Sequence, residues 1–306
     1  MALKLALPTL DKRRMALARA RFHAWWHGAA FDEEAARAAI EAAANDAGVE
    51  SELFAPPAPP EDPRLDALQR IWGAGRLGPG DAADEAALPA RLNLSATATL
   101  GLFGPGLAAP ALAMAQTHLG EVRVFEWREE TLALLRHGLA ALDKRVSVAG
   151  VDLETFSAPA EAFDGAVSID DFVYADNAQR MALQIARGLK DKASALVETY
   201  CAAPGPDLAA AFASAFREPQ VRMRKDIATI LEECGLRVDA DEDVTDAHVE
   251  HARAAFKTLG DSLRGADPLS PVAARELAWE TEAWRARVRL LASRRLERRR
   301  FLVTKR

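Results

Sequence analysis

The sequence predicts an α/β fold, a doubly wound and mostly parallel sheet with helices on both faces. Three observations carry this. From Ser95 onward, short apolar runs alternate with segments of helical length, the pattern left by parallel strands and their crossover helices. The first run ends in a tight glycine turn, Gly104-Pro105-Gly106. Later runs end in acids, at Glu126 and at Asp170-Asp171, and open α/β sheets bind ligands beyond the carboxyl ends of their strands.

Taken in order, residues 9–44 read as helices, with Met15, Leu17, Phe22, Trp25 and Trp26 apolar among Lys and Arg. Phe31-Asp32-Glu33-Glu34 supplies the acidic start that a helix N-terminus prefers. The proline-rich run from Phe54 to Pro63 reads as an extended linker. A short helix from Arg64 to Trp72 then leads into the glycine-rich loop Gly73 to Gly80.

Ser95–Phe103, Glu121–Trp127, Val146–Val151, Gly165–Ile169 and Ala193–Tyr200 read as strands. Pro110–His118, Glu129–Leu142, Asn177–Leu189 and Met223–Cys234 read as helices, the last closed by Gly235 as its C-cap. A further strand starts at Leu236, and Phe301–Thr304 forms the terminal one. Leu277, Trp284, Val288 and Leu291 recur at helical spacing. They predict two helices whose apolar stripe packs on the sheet or on the N-terminal helices, with a dimer interface or a substrate lid as the alternative. The domain reading is a helical extension with its glycine- and proline-rich loop over residues 1–91, then an α/β domain over 92–306 with a helical insertion at about 246–300.

The chain has 306 residues, 50% of them hydrophobic and 27% charged, a balance that allows a sizeable folded core. A net charge of -6 argues against general nucleic-acid binding. The basic runs, Lys12-Arg13-Arg14 and Arg285 through Arg300, read as solvated helix faces. Cys201 and Cys234 lack metal spacing and read as free thiols in a reducing compartment. No signal peptide and no membrane-spanning stretch is read, so a cytoplasmic location is expected and a membrane role is not. The histidines form no HxH or HExxH cluster, and no catalytic metal is expected.

The chemistry concentrates at the strand ends. Gly104 and Gly106 lack the Cβ that would keep a ligand from the backbone, though a plain turn would read the same way. Glu126, about 20 residues on, stands where an acid accepts two ribose hydroxyls, or is simply a solvated strand-end charge. Asp152-Leu153 offers an acceptor for an adenine amino group and an apolar wall for its ring. Phe163 to Asp171 is an apolar strand running into acids.

In this order the four features resemble the class I S-adenosylmethionine (SAM)-dependent methyltransferase family. The resemblance covers roughly the last two-thirds of the chain. It implies a seven-stranded, Rossmann-like methyltransferase sheet that binds SAM through Gly104, Gly106, Glu126, Asp152, Leu153 and Asp170. The segment Met223 to Val238 looks like the family's penultimate helix and strand, and Phe301 to Arg306 like its last, antiparallel strand. Ile71 through Gly80 is similar to the glycine-rich segment of methyltransferases related to phosphoethanolamine and other small-amine N-methyltransferases. That likeness makes Trp72, Gly73 and Arg76 pocket residues, against a purely structural loop.

Two positions depart from the family pattern. Leu102 stands where an acid usually helps hold the SAM ammonium group, and Ala108 or Ala109 replaces the third glycine. Losing one charged contact costs a few kcal/mol, or about two orders of magnitude in affinity. The alternative to a SAM-dependent enzyme is therefore an inactive methyltransferase-like scaffold or complex subunit. Its protein partner, or a second copy of the chain, would meet the helical regions, and Trp25-Trp26 would serve as such a surface if exposed. A nicotinamide oxidoreductase fits poorly, because the third glycine and the two-half repeat are missing. Methyl transfer needs positioning and water exclusion more than covalent help. Asp170, Asp171, Tyr174, Glu198 and Tyr200 are the acceptor-side candidates, any of which could act as a base for a protonated acceptor.

Overall fold

A computed structural model describes residues 32–38, 62–142, 144–204, 220–264, 266 and 268–306. The readings over residues 9–31 and 39–61, including Trp25-Trp26, Lys12-Arg13-Arg14 and the proline-rich run, lie outside the described residues. The chain divides between Ala58 and Pro59 into two units. In the first, residues 33–38 are helical, and the Asp32 carboxylate accepts from the Ala35 N–H at 3.0 Å as an N-cap. The second unit, Pro59–Arg306, holds the sheet.

That unit opens with α1 (Pro63–Trp72), which starts at Pro63 because Asp62 caps it, accepting from the N–H groups of Arg64 and Leu65. The short helix α2 (Ala82–Ala87) follows the glycine-rich loop. The core then alternates: β1 (Leu100–Phe103), α3 (Ala108–Thr117), β2 (Val122–Glu126), α4 (Glu129–Leu139), β3 (Val146–Gly150), β4 (Phe163–Ile169), α5 (Asp171–Tyr174), α6 (Ala178–Gly188) and β5 (Leu189–Ala202). It ends with α7 (Arg224–Glu233), β6 (Leu236–Asp243), α8 (Thr245–Leu263), α9 (Pro271–Ala292) and β7 (Leu296–Lys305). Gly235, at φ 83°, takes the left-handed position after α7.

The seven strands form one sheet in the order β3-β2-β1-β4-β5-β7-β6. β7 runs antiparallel to both of its neighbours, and the strand pairs from β3 to β5 are parallel. The order reverses between β1 and β4, which opens a crevice at their carboxyl ends. Central parallel strands are covered on both faces, so β1 is wholly buried and reads Leu-Gly-Leu-Phe. Phe103, Phe125 and Phe163 pack one face against α6 residues such as Ile185. Leu100, Leu102, Val124 and Val167 pack the other against Ala111 and Met114 of α3. Leu102 is therefore a core residue packed under α3.

The insertion helices pack as their stripe predicts. Leu277 and Trp284 of α9 join Leu65, Leu68, Ile71 and Trp72 of α1, and Leu291 meets Tyr200 and Leu296 on the sheet. α1 thus belongs to the α/β unit, and the compact body begins near Pro59 rather than at residue 92. β7 begins at Leu296, so the insertion ends before residue 300 and the terminal strand is longer than expected. Charged residues conceal its start: Arg298, Arg299 and Arg300 lie opposite Tyr200, Thr199 and Glu198 in the sheet. Arg287, Arg298 and Arg299 are buried, which corrects the reading of this basic run as a solvated helix face. Cys201 and Cys234 are free, buried thiols. Among the described residues, no helix is long and apolar enough to cross a membrane.

Candidate functional site

A cleft of about 340 Å³ opens at the carboxyl ends of β1, β4 and β5, a volume within the range of small-molecule sites. Gly104, Gly106, Arg76, Asp170, Tyr174, Glu198 and Tyr200 line it, whereas Glu126 and Asp171 do not. Asp152 and Leu153 line a separate, shallower groove. Trp72 and Gly73 line neither. Trp72 is 5% exposed and meets Trp284 edge-on at 4.5 Å, so its role here is packing of α1 on α9.

The glycine turn is closely covered by the chain itself. Gly104 (φ 63°) and Gly106 (φ 76°) take left-handed conformations that glycine adopts without strain. A Cβ at Gly104 would collide with Asp171 Oδ1 and the Ile169 carbonyl, and one at Gly106 would lie 2.6 Å from Leu77 Cδ1. The glycine-rich loop is pinned there by the Ala109 N–H, which donates to the Gly75 carbonyl at 3.0 Å. Arg76 reaches back to Glu85 on α2, with Nη2 donating to Oε2 at 2.7 Å.

Glu126 is fully buried and both of its oxygens are engaged. Oε2 accepts from the Gly106 N–H at 2.6 Å. Oε1 accepts from the Arg128 N–H at 2.8 Å and from Arg128 Nη1 at 2.9 Å. Burial works against the Arg128 charge, but Glu126, Tyr174, Asp171 and Asp170 together outweigh it and raise the guanidinium pKa. The guanidinium sits 3.9 Å from the Trp127 ring centroid and 5.2 Å from that of Tyr174, both within cation–π reach. Trp127 and Tyr174 lie 4.4 Å apart, centroid to centroid, and form the wall shared by the cleft and the Asp152 groove.

Asp171 is buried beside this cation, its Oδ2 accepting from Ser168 Oγ at 2.7 Å and its Oδ1 without a hydrogen-bond partner. Burial pushes its pKa up to about 8, with the Glu126 and Asp170 charges adding and Ser168 and Arg128 opposing. Asp170, at φ 65°, pairs with Arg298. Arg298 also contacts Glu198 at 3.3 Å, and Arg300 donates to Glu198 at 2.6 Å. Burial pushes the Glu198 carboxyl up, but Arg298 and Arg300 outweigh it and hold the pKa below its ordinary value. Tyr200 Oη meets His248 Nε2 at 2.8 Å. Arg287 and Arg298 lie 4.7 and 4.6 Å from the Tyr200 ring centroid. Burial, then the nearby arginines, depress the His248 pKa well below 6.5, so the ring is neutral at pH 7. In the groove, Asp152 Oδ1 accepts from the Glu154 N–H at 2.8 Å.

Sequence reading did not single out Arg128, Leu77, His248 or Arg298. Arg128 carried a local signal, since it stands two residues after the strand-end acid. His248, which reaches Tyr200 from α8, carried none.

No family model matches the chain, and no curated protein matches it by sequence. Solved structures do. Phosphoethanolamine N-methyltransferase 2 of Haemonchus contortus, in complex with phosphomonomethylethanolamine and S-adenosylhomocysteine, is similar with a TM-score of 0.67 and 18% identity, covering 79% of this chain and 56% of that one. The chain thus spans 56% of the length of that relative. Geranyl diphosphate C-methyltransferase of Streptomyces coelicolor gives a TM-score of 0.57 at 13% identity, covering 82% of this chain and 100% of that one. The cyclase SpnF gives a TM-score of 0.59 at 16% identity over 79% of this chain and 92% of that one, so the activities these neighbours are named for differ while the architecture does not. With the strand order, the antiparallel β7 and the glycine turn at the switch point, these likenesses establish that the chain has the class I SAM-dependent methyltransferase fold.

Proposed function

We propose that the chain is a SAM-dependent methyltransferase acting on a small-molecule acceptor. One observation carries the reading: the crevice at the β1–β4 switch point holds a cation among Glu126, Asp170 and Asp171, against the faces of Trp127 and Tyr174. That is the chemistry a sulfonium and an ammonium group require. In this structure the cation is the guanidinium of Arg128. The donor and acceptor set fits the cofactor once that side chain moves aside. Glu126 would hold the ribose, Asp152 and Leu153 the adenine, and the Gly104–Gly106 turn the amino acid part. Bound there, the cofactor supplies an activated methyl group on sulfur.

The chain's own residues do the rest. Tyr200 and neutral His248 stand at the acceptor end of the cleft, where Tyr200 Oη can take a proton from an acceptor as it passes its own proton to His248 Nε2. Arg298 and Arg300 keep Glu198 ionised and fixed beside them. The Arg76–Glu85 pair and Leu77 hold the glycine-rich loop over the turn and keep water from it. The neighbours named for phosphoethanolamine and geranyl diphosphate support a small-molecule acceptor. The test is a screen of small amine, hydroxyl and carbon acceptors with SAM as donor, reading S-adenosylhomocysteine release. Turnover with some acceptor, lost in Tyr200→Phe with cofactor affinity retained, is the expected result. Absence of cofactor binding contradicts the reading.

A further inference from the structure

We infer that Arg128 is a built-in competitor for the cofactor site, and that the Trp127–Tyr174 contact keeps the cleft divided until this arginine leaves. The inference rests on the SAM reading above and adds to it a gate in the chain itself.

Four observations converge. First, both Glu126 oxygens are already engaged, Oε2 by the Gly106 N–H and Oε1 by the main chain and guanidinium of Arg128. Second, the guanidinium reaches the glycine turn, with Nη1 3.4 Å from the Gly104 carbonyl oxygen. It therefore occupies the space where a bound cation would meet that turn. Third, the same guanidinium stacks on Trp127, and Trp127 in turn contacts Tyr174 at 4.4 Å. These rings form the partition between the main cleft and the Asp152 groove, and one extended nucleoside ligand cannot lie across both while they touch. Fourth, the occupant is tethered only through its own side chain, and Arg128 keeps its backbone N–H bond to Glu126 whichever way the guanidinium points. Swinging it out frees one acceptor position on Glu126 Oε1, one face of Trp127 and the turn at once.

A ligand that binds only the open arrangement has its affinity reduced by the fraction of molecules that are open. If about one molecule in ten is open, removing the guanidinium tightens binding about tenfold. The experiment is calorimetric titration of S-adenosylhomocysteine into the full chain, wild type against Arg128→Gln, with circular dichroism confirming the fold of each. Glutamine keeps a donor for Glu126 but no charge. The expected result is binding at least about tenfold tighter in Arg128→Gln. Wild-type binding as tight as the variant's, or tighter, overturns the gate and leaves the cofactor reading standing. Binding by neither folded protein at millimolar ligand overturns both. A second measurement needs no arginine variant. Saturating S-adenosylhomocysteine changes the tryptophan emission of the wild type, and Trp127→Phe lacks that change. Binding without any emission change from Trp127 overturns the gate.

Discussion

Glu126 and Arg128 stand two residues apart at the end of β2 and form a buried ion pair, Nη1 to Oε1 at 2.9 Å, directly over the glycine turn. One pair thus fastens the turn and fills it. Removing one partner of a buried pair leaves the other charge uncompensated and costs about 3–5 kcal/mol. Glu126→Ala is expected to lose stability in that range, measured by urea denaturation, and Glu126→Gln to lose less because it still accepts from the Gly106 N–H. Equal stability of wild type and Glu126→Ala would show that the pair is not formed.

Gly106 tests the close cover over the turn. Alanine there meets two penalties, a left-handed φ of 76° and a Cβ 2.6 Å from Leu77 Cδ1. The first alone costs about 1–2 kcal/mol. Gly106→Ala is expected to cost more than that, and Leu77→Ala in the same chain to recover the excess. A double-mutant cycle with no coupling between the two positions would place Leu77 elsewhere.

Asp171 gives the fold a pH dependence of defined sign. Its folded pKa, about 8, lies above the unfolded value, so the native state holds the proton more tightly. The stability this contributes is complete below the unfolded carboxyl pKa and is lost as pH rises towards 8, by at most about 1.4 kcal/mol per pH unit. Asp171→Asn mimics the neutral form. Its stability is expected to gain on that of the wild type from the unfolded carboxyl pKa, about 4, up to about pH 8 and to hold a constant difference above. A constant difference across the whole range would show an ordinary carboxylate.

Glu198 behaves in the opposite sense. Its folded pKa is depressed by Arg298 and Arg300, so its contribution is present above the unfolded carboxyl pKa and is lost as pH falls through the folded one. The stability gap between wild type and Glu198→Gln is expected to be widest above the ordinary carboxyl range and to narrow as pH falls below it. A gap that does not change with acid would remove the carboxylate from the arginine network.

The architecture was legible because its signals are local. Gly104-Pro105-Gly106 announces the turn, the acids at Glu126 and Asp152 follow their strands, and Leu277, Trp284 and Leu291 repeat at the helical period. What escaped depends on contacts made in space. Trp72 beside a glycine-rich loop reads equally as a pocket wall or as core, and only its meeting with Trp284 decides it. The arginines of β7 look like surface charge until Glu198 and Asp170 are found opposite them. Asp171 and Asp170 are adjacent in sequence, yet one is buried beside Ser168 and the other is paired with Arg298. Leu102 is the clearest case. Its apolar character is visible in sequence, and its packing beneath α3 only in the fold.

The central claim is that this cleft is a working cofactor site behind a movable arginine. Titration of SAM into the wild-type chain by calorimetry, with Glu126→Ala alongside, tests it most directly. Saturable binding in the wild type that is lost in a folded Glu126→Ala is the predicted result. A folded wild-type chain that takes up no SAM at millimolar concentration would contradict it.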